Sequence, residues 1–326
     1  MNNKLLTLYY LSHTRAKFHK AAFSMLSGIK KENKDKIKVV VLADNPDDKS
    51  ELENSKTHLK NIECEIIYHP NGHNYMSKIN KTKNCDTPYL AKWDEDVFVP
   101  CHVWDYMIEN LNVLESSEVM QIMPTMSTTI PCVDLFIEDF VTDLKIKEKL
   151  NNIFLDRPLP KGLWGVDYEP LNEATINSTK WSPKKYYDIL RNLGTNLMGM
   201  HPMRISWEGH FLLNDYITTN FNRLMSKHSY SFTELDEPYF NNNLFIIKSD
   251  RWTEITGMIR DAYDEVTQNI YRNNNKLKVL YVKNGFSIHT MFNTIHGAGN
   301  PWNIGNESSQ EKENLFFEEI IKKLEI

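Results

Sequence analysis

No segment of this 326-residue sequence is apolar for the roughly 18 residues that a bilayer-crossing helix requires. A soluble protein is expected. The longest early run, LLTLYYL, has no small-residue cleavage site after it and predicts a strand, not a signal peptide. Cysteine is sparse: the four residues Cys64, Cys85, Cys101 and Cys132 form no CxxC pair and no disulfide framework, which fits a reducing cytoplasm. Positive charge is also in short supply, with 38 basic against 43 acidic residues and a net charge of −5. A broad surface for nucleic acid needs a basic stripe, so that class of partner is excluded. The pairs Lys30-Lys31, Lys184-Lys185 and Lys322-Lys323 are short enough to be solvated helix faces. There is no GxGxxG, no GxxxxGK[ST] and no GxSxG, so dinucleotide, P-loop and α/β-hydrolase chemistry have no anchor. No internal repeat or low-complexity segment occurs.

What is present is the composition of a globular enzyme, 41% apolar and 25% charged, in a chain long enough for one large core or two smaller ones. The first hundred residues alternate short β-branched runs with longer amphipathic ones. That alternation predicts an α/β fold with a mainly parallel, Rossmann-like sheet flanked by helices. Strands are expected at Leu5–Leu11, Ile37–Ala43, Glu65–Tyr68 and Tyr89–Trp93, with helices near Arg15–Leu26, Lys49–Leu59 and Tyr75–Lys83. Polar residues follow each strand: Ser12-His13-Thr14, Asp44-Asn45, His69-Pro70-Asn71-Gly72 and Asp94-Glu95-Asp96. They should gather at the carboxyl edge, where open α/β sheets bind ligands.

A helix around Val103–Leu114 and a strand at Val119–Met123 follow, and the first stretch then ends at residue 126. Residues 127–232 are a looser, aromatic-rich region with Trp164, Tyr168, Trp181, Tyr186, Tyr187 and Trp207; one helix begins there at Ser206. Residues 233–326 return to regular structure, with strands at Asn243–Ile247 and Lys278–Val282 and a closing helix. Ser308 with Glu311 makes a capping box for that helix, and Phe316, Phe317, Ile320, Ile321 and Leu324 form one apolar face. Its acidic residues favour packing on the body over peripheral contact with a membrane.

The most informative stretch is YLAKWDEDVFVP, in which a strand runs into three consecutive carboxylates. Adjacent acids repel, and a divalent cation with oxygen ligands relieves the repulsion. Asp94 and Asp96, two apart, can face one ion while Glu95 faces away. The alternative is an exposed acidic turn. In IHGAGNPW, Gly297 and Gly299 let backbone N–H groups approach a phosphate, and the neutral imidazole of His296 suits Mn²⁺ better than Mg²⁺ or Ca²⁺. The alternative for His296 is a loop histidine without a ligand. Asp44 can accept hydrogen bonds from a nucleoside or cap an Asx turn, and Arg15 can hold a phosphate.

The section HPNGHNYMSKINKTKNCDTPYLAKWDEDVFV resembles the nucleotide-sugar half of GT-A fold glycosyltransferases: strand, Asn-Gly, a helix carrying Lys78 and Asn80, then a strand ending in the acidic motif. The resemblance implies Mn²⁺ or Mg²⁺ bridging the diphosphate of a nucleotide-sugar donor, a UDP-sugar by expectation, and transfer to a glycan or other hydroxyl acceptor. It also implies that Asp44 and the Ser12–Arg15 loop face base and ribose. PYFNNNLFIIKSDRW and IHGAGNPW are similar to elements of the retaining galactosyltransferase and glycogenin group, and the match carries His296, Gly299, Pro301 and Trp302. In that group the histidine is a further metal ligand. The spacing from glycine to Pro-Trp is two residues shorter here, and Asn300 replaces an expected lysine. Two segments offer a carboxylate to the reaction: Glu208, beside Trp207 in a helix's first turn, and Asp264 with Glu265, ahead of Asn269. Glu208 suits a general base, although the macrodipole favours acids there in any case; Asp264 and Glu265 resemble the acidic helix that contacts the donor sugar in the retaining group, the alternative being a solvated face. A protein that binds sugar nucleotides or glycans without turnover, or a nucleotidyltransferase on a related fold, is the alternative.

Overall fold

The computed structural model describes residues 4–12, 16–44, 49–70, 75–82, 87–127, 132–155, 207–234, 243–258, 264–290 and 307–324. The apolar runs of the first third form β1 (Leu6–Ser12), β2 (Ile37–Ala43), β3 (Glu63–Tyr68) and β4 (Tyr89–Asp94), joined through helices α1 (Ala16–Ser27), α2 (Lys31–Lys34), α3 (Lys49–Lys56) and α4 (Tyr75–Thr82). These four strands pair in parallel in the order β3-β2-β1-β4, with Ser12 level with Ala43, Ala43 with Tyr68 and Leu11 with Asp94. Parallel strands in this register end together, so one edge receives Ser12, Asp44, His69 and Asp94. Backbone bonds close that edge, from the Asp44 N–H to the Ser12 carbonyl (3.0 Å) and from the His69 N–H to the Ala43 carbonyl (2.9 Å).

Beyond β4 the sequence supplies β5 (Val97–Phe98), α5 (Cys101–Glu109), a 3₁₀ turn (Leu111–Glu115) and β6 (Val119–Met126). The expected helix to Leu114 therefore stops at Asn110, where the backbone leaves helical geometry. The helices α6 (Cys132–Phe140), α7 (Leu144–Leu155), α8 (Trp207–Thr219) and α9 (Phe221–Leu224) come next. After them run β7 (Ser231–Glu234), β8 (Leu244–Lys248), α10 (Ser249–Met258), α11 (Asp264–Asn275), β9 (Lys278–His289) and α12 (Glu307–Leu324). The sheet is completed in the order β3-β2-β1-β4-β8-β6-β9-β5, with β7 on β9. β8 lies antiparallel between β4 and β6. The α/β class with a Rossmann-like sheet thus holds, and one late antiparallel strand occupies its centre.

Two compact units divide the chain. The first comprises residues 1–125, 227–236 and 240–288; the second comprises 126–226, 237–239 and 289–326.

In the first unit, side chains alternate across the strands as the pleat requires. On one face Tyr10, Trp93, Phe23 and Trp104 make edge-to-face contacts, with ring centroids 4.7 Å apart for Tyr10–Trp93 and 5.3 Å for Trp93–Trp104. On the other face Tyr75 of α4 meets Trp252 of α10 at 6.2 Å. At the start of β4, burial and the hydrogen bond to Glu115 push the Tyr89 hydroxyl up to about 12, while Lys248 and Tyr89 together hold the Glu115 carboxyl below its usual value.

The described part of the second unit is helical. Its hub is the Tyr216 hydroxyl, which donates to the Phe140 carbonyl (2.9 Å) and accepts from the Thr142 N–H (2.9 Å) and Arg223 (2.8 Å). Asp143 caps α7 by accepting from the N–H groups of Lys145 and Ile146. Phe316, Phe317 and Ile320 of α12 are buried, and α12 packs on α8. The helix begins at Glu307, so Ser308 lies within it and does not occupy the capping position. Among the described residues no helix is long and apolar enough to cross a membrane.

Candidate functional site

The carboxyl edge of β1, β2 and β4 is built from residues whose side chains meet across long stretches of sequence. Lys78, one turn into α4, places its ammonium 2.7 and 2.5 Å from the two Asp44 oxygens. Both side chains are part-buried, at 17% and 29% exposure, so the pair fixes α4 to the end of β2. Asn80 turns to the other helix, accepting from the Trp252 indole N–H at 3.0 Å. Lys78 and Asp44 are thus brought together, and Asn80 is engaged with α10.

At the end of β4, Asp94 and Glu95 turn to different partners. Asp94 is held by the Lys92 ammonium (2.6 Å) and the Asn243 amide (3.2 Å), both on Oδ2, while its N–H donates to the Asn243 carbonyl at 2.9 Å. Glu95 is buried on the opposite side, 3.5 Å from His19 Nε2. Its carbonyl accepts from the Tyr10 hydroxyl at 3.3 Å. Asp96 is 4% exposed in the turn to β5. The split follows from the pleat: Lys92 and Asp94 share one face of β4, while Trp93 and Glu95 point toward α1.

Ser12 also meets His19 Nε2, at 3.0 Å from its Oγ. Serine and glutamate therefore contact the same imidazole nitrogen, and all three groups are buried. That is not the arrangement of an activated nucleophile, which needs base and orienting acid on different nitrogens. It ties the end of β1, helix α1 and the acidic turn into one unit.

Lys92 is the residue that sequence reasoning passed over. It is 3% exposed between the buried Ala91 and Trp93 of β4, and its ammonium lies 4.7 Å from the Tyr75 ring centroid as well as on Asp94. The Tyr75 hydroxyl in turn accepts from Gln268 of α11. A lone lysine inside YLAKWD was the available signal, because a cation there must find a carboxylate or a ring.

His296, Gly297, Gly299 and Arg15 lie outside the described residues. Glu208 is on α8, in the second unit, and Asp264 and Glu265 open α11, in the first; their side chains lie outside the described set. Among the described residues no three His, Cys, Asp or Glu groups converge on a metal position. The donor chemistry of Asp94 and Asp96 nevertheless fits a hard divalent ion, since carboxylate oxygens are what Mg²⁺ and Mn²⁺ take.

No family model matches this chain, and no curated protein does. Among solved structures the similarities are weak. A mannosyltransferase from Pyrobaculum calidifontis, in complex with GDP-Man and Mn²⁺, is 9% identical with a TM-score of 0.33. The match covers 69% of this chain and 65% of that one, under two thirds of its length. The 4-diphosphocytidyl-2C-methyl-D-erythritol synthase from Anaerococcus prevotii is 7% identical with a TM-score of 0.43, covering 97% of this chain and 99% of that one. Neither likeness assigns an activity.

Proposed function

We infer that the chain is a glycosyltransferase that moves a sugar from a nucleotide-diphosphate donor, a UDP-sugar, to a hydroxyl of a glycan or similar acceptor. The observation that carries this reading is the polar carboxyl edge of β1, β2 and β4: Ser12 and Asp94 end parallel strands held in register, Asp44 follows β2 and pairs with Lys78 of α4, and Asp96 lies in the turn after β4. Such an edge is where an open α/β sheet receives a nucleotide. The resemblance of this same stretch to the nucleotide-sugar half of GT-A enzymes supports it further.

In this reading Asp44 accepts hydrogen bonds from the nucleoside, and Lys78 holds that carboxylate in place. Arg15 and the N–H groups at Gly297 and Gly299 face the phosphates. Asp94, Asp96 and His296 would hold Mn²⁺ or Mg²⁺, which supplies charge neutralisation for the departing diphosphate. Glu208 takes the acceptor hydroxyl's proton in an inverting reaction; in a retaining one, Asp264 and Glu265 attend the donor sugar. Asn80, bonded to Trp252, orients the helix that carries Lys78.

The test is to incubate the purified protein with a panel of nucleotide sugars and Mn²⁺ and to measure free nucleoside diphosphate. Release from one donor identifies the sugar. Release of inorganic diphosphate from a nucleoside triphosphate and a sugar phosphate, with no nucleoside diphosphate formed, would instead make it a nucleotidyltransferase. Donor binding without any turnover would make it a binding protein.

A further inference from the structure

A buried ammonium is unfavourable unless a carboxylate or an aromatic face meets it, and Lys92 has both. Its Nζ is 2.6 Å from Asp94 Oδ2 and 4.7 Å from the centre of the Tyr75 ring, at 3% exposure. The surroundings fix it there. Gln268 of α11 donates to the Tyr75 hydroxyl, which anchors the ring beneath the ammonium. Asn243 grips Asp94 twice, through its carbonyl and its amide, which anchors the carboxylate. Neighbouring strand pairs hold both partners in register, Lys92 opposite Tyr9 and Phe245 and Asp94 opposite Leu11. Among the described residues Asp94 is the ion-pair partner of Lys92.

We propose that Lys92 is the resident counter-ion of Asp94 and competes with a divalent cation for that carboxylate, so that the free protein holds Mn²⁺ weakly. The proposal rests on the reading of Asp94 and Asp96 as the ion's ligands. Two cations on one part-buried carboxylate repel, and at protein-like dielectric a fixed charge a few ångströms away changes ion affinity by at least about tenfold. The same lysine has a second consequence. The negative charge of a nucleotide's diphosphate offers the ammonium a partner, so nucleotide and metal should bind with mutual reinforcement.

Mn²⁺ alone is titrated into the full chain, reading the free ion by electron paramagnetic resonance, for the parent, Lys92→Met and Lys92→Arg. The dissociation constant should fall at least tenfold in Lys92→Met and stay near the parent's in Lys92→Arg, which keeps the charge. Equal constants in parent and Lys92→Met, undetectable binding in both included, overturn the proposal. Thermal melting of Asp94→Asn without metal is an independent readout. Removing the carboxylate strands a buried ammonium, so the melting temperature should fall; a rise overturns the proposal even if Lys92→Met does not fold. Titration with UDP separates this from the glycosyltransferase reading. Tighter Mn²⁺ in Lys92→Met with no UDP binding upholds Lys92 and overturns that reading, whereas UDP binding with unchanged Mn²⁺ affinity does the reverse.

Discussion

At the scale of single residues, Asp96 and Asp94 share a motif but not a setting. Asp94 faces Lys92 and Asn243, while Asp96 is buried in the turn that follows. If both ligate the ion, Asp96→Asn should leave a folded protein whose donor affinity no longer responds to Mn²⁺, a loss of about tenfold or more in the metal-induced gain. Calorimetric titration with and without Mn²⁺ checks this, and a normal metal response would return Asp96 to a structural turn. The acceptor side is decided by another pair of residues. Glu208→Gln should keep donor and metal binding yet slow transfer by roughly 10²-fold, the scale of a lost general base. Normal transfer by Glu208→Gln, combined with failure of Asp264→Asn, would place the essential carboxylate on α11 and favour retention of configuration.

At the scale of elements, β9 shows how a backbone detail limits substitution. Asn284 has a positive φ of 60°, and a Cβ at Gly285 would run into the Val282 side chain and lie 3.0 Å from its carbonyl oxygen. Gly285→Ala should therefore cost about 1–3 kcal/mol, as overpacking does, and lower the melting temperature without touching the carboxyl edge. Stability equal to the parent's would show that β9 relaxes there. The same strand marks what could be anticipated. Periodic patterns were legible: β2 spans Ile37–Ala43 and Asp44 follows it as expected, while Ser12 and Asp94 each extend their strand by one residue. β9 runs on to His289, past the expected Val282, because Asn284-Gly285 looks like a turn in sequence but is accommodated within the strand. β5 and β7, two and four residues long, are too short for any period to register. Lys92, Tyr75 and Gln268 escaped notice for a different reason. Their association depends on which faces of distant elements meet, and no spacing within one element encodes that.

At the scale of the whole molecule, the sheet is stitched from both ends of the sequence. β8 sits between β4 and β6, although roughly 150 residues separate it from β4. A fragment ending at residue 126 would contain β1 to β6 but expose the β4 edge that β8 normally covers. It should be largely aggregated or unfolded by size-exclusion chromatography and circular dichroism, and a monomeric, cooperatively melting fragment would contradict this. The Asn243 grip on Asp94 is lost in the same fragment, so the acidic turn cannot be prepared on its own. The late strand also sets a clock during synthesis. At about 5–20 residues per second, a ribosome needs on the order of ten seconds to pass from β4 to β8. Throughout that interval the nascent chain carries an apolar, unpaired strand edge, which makes translation speed across the middle third, and the holding chaperones present meanwhile, determinants of how much protein reaches the native state.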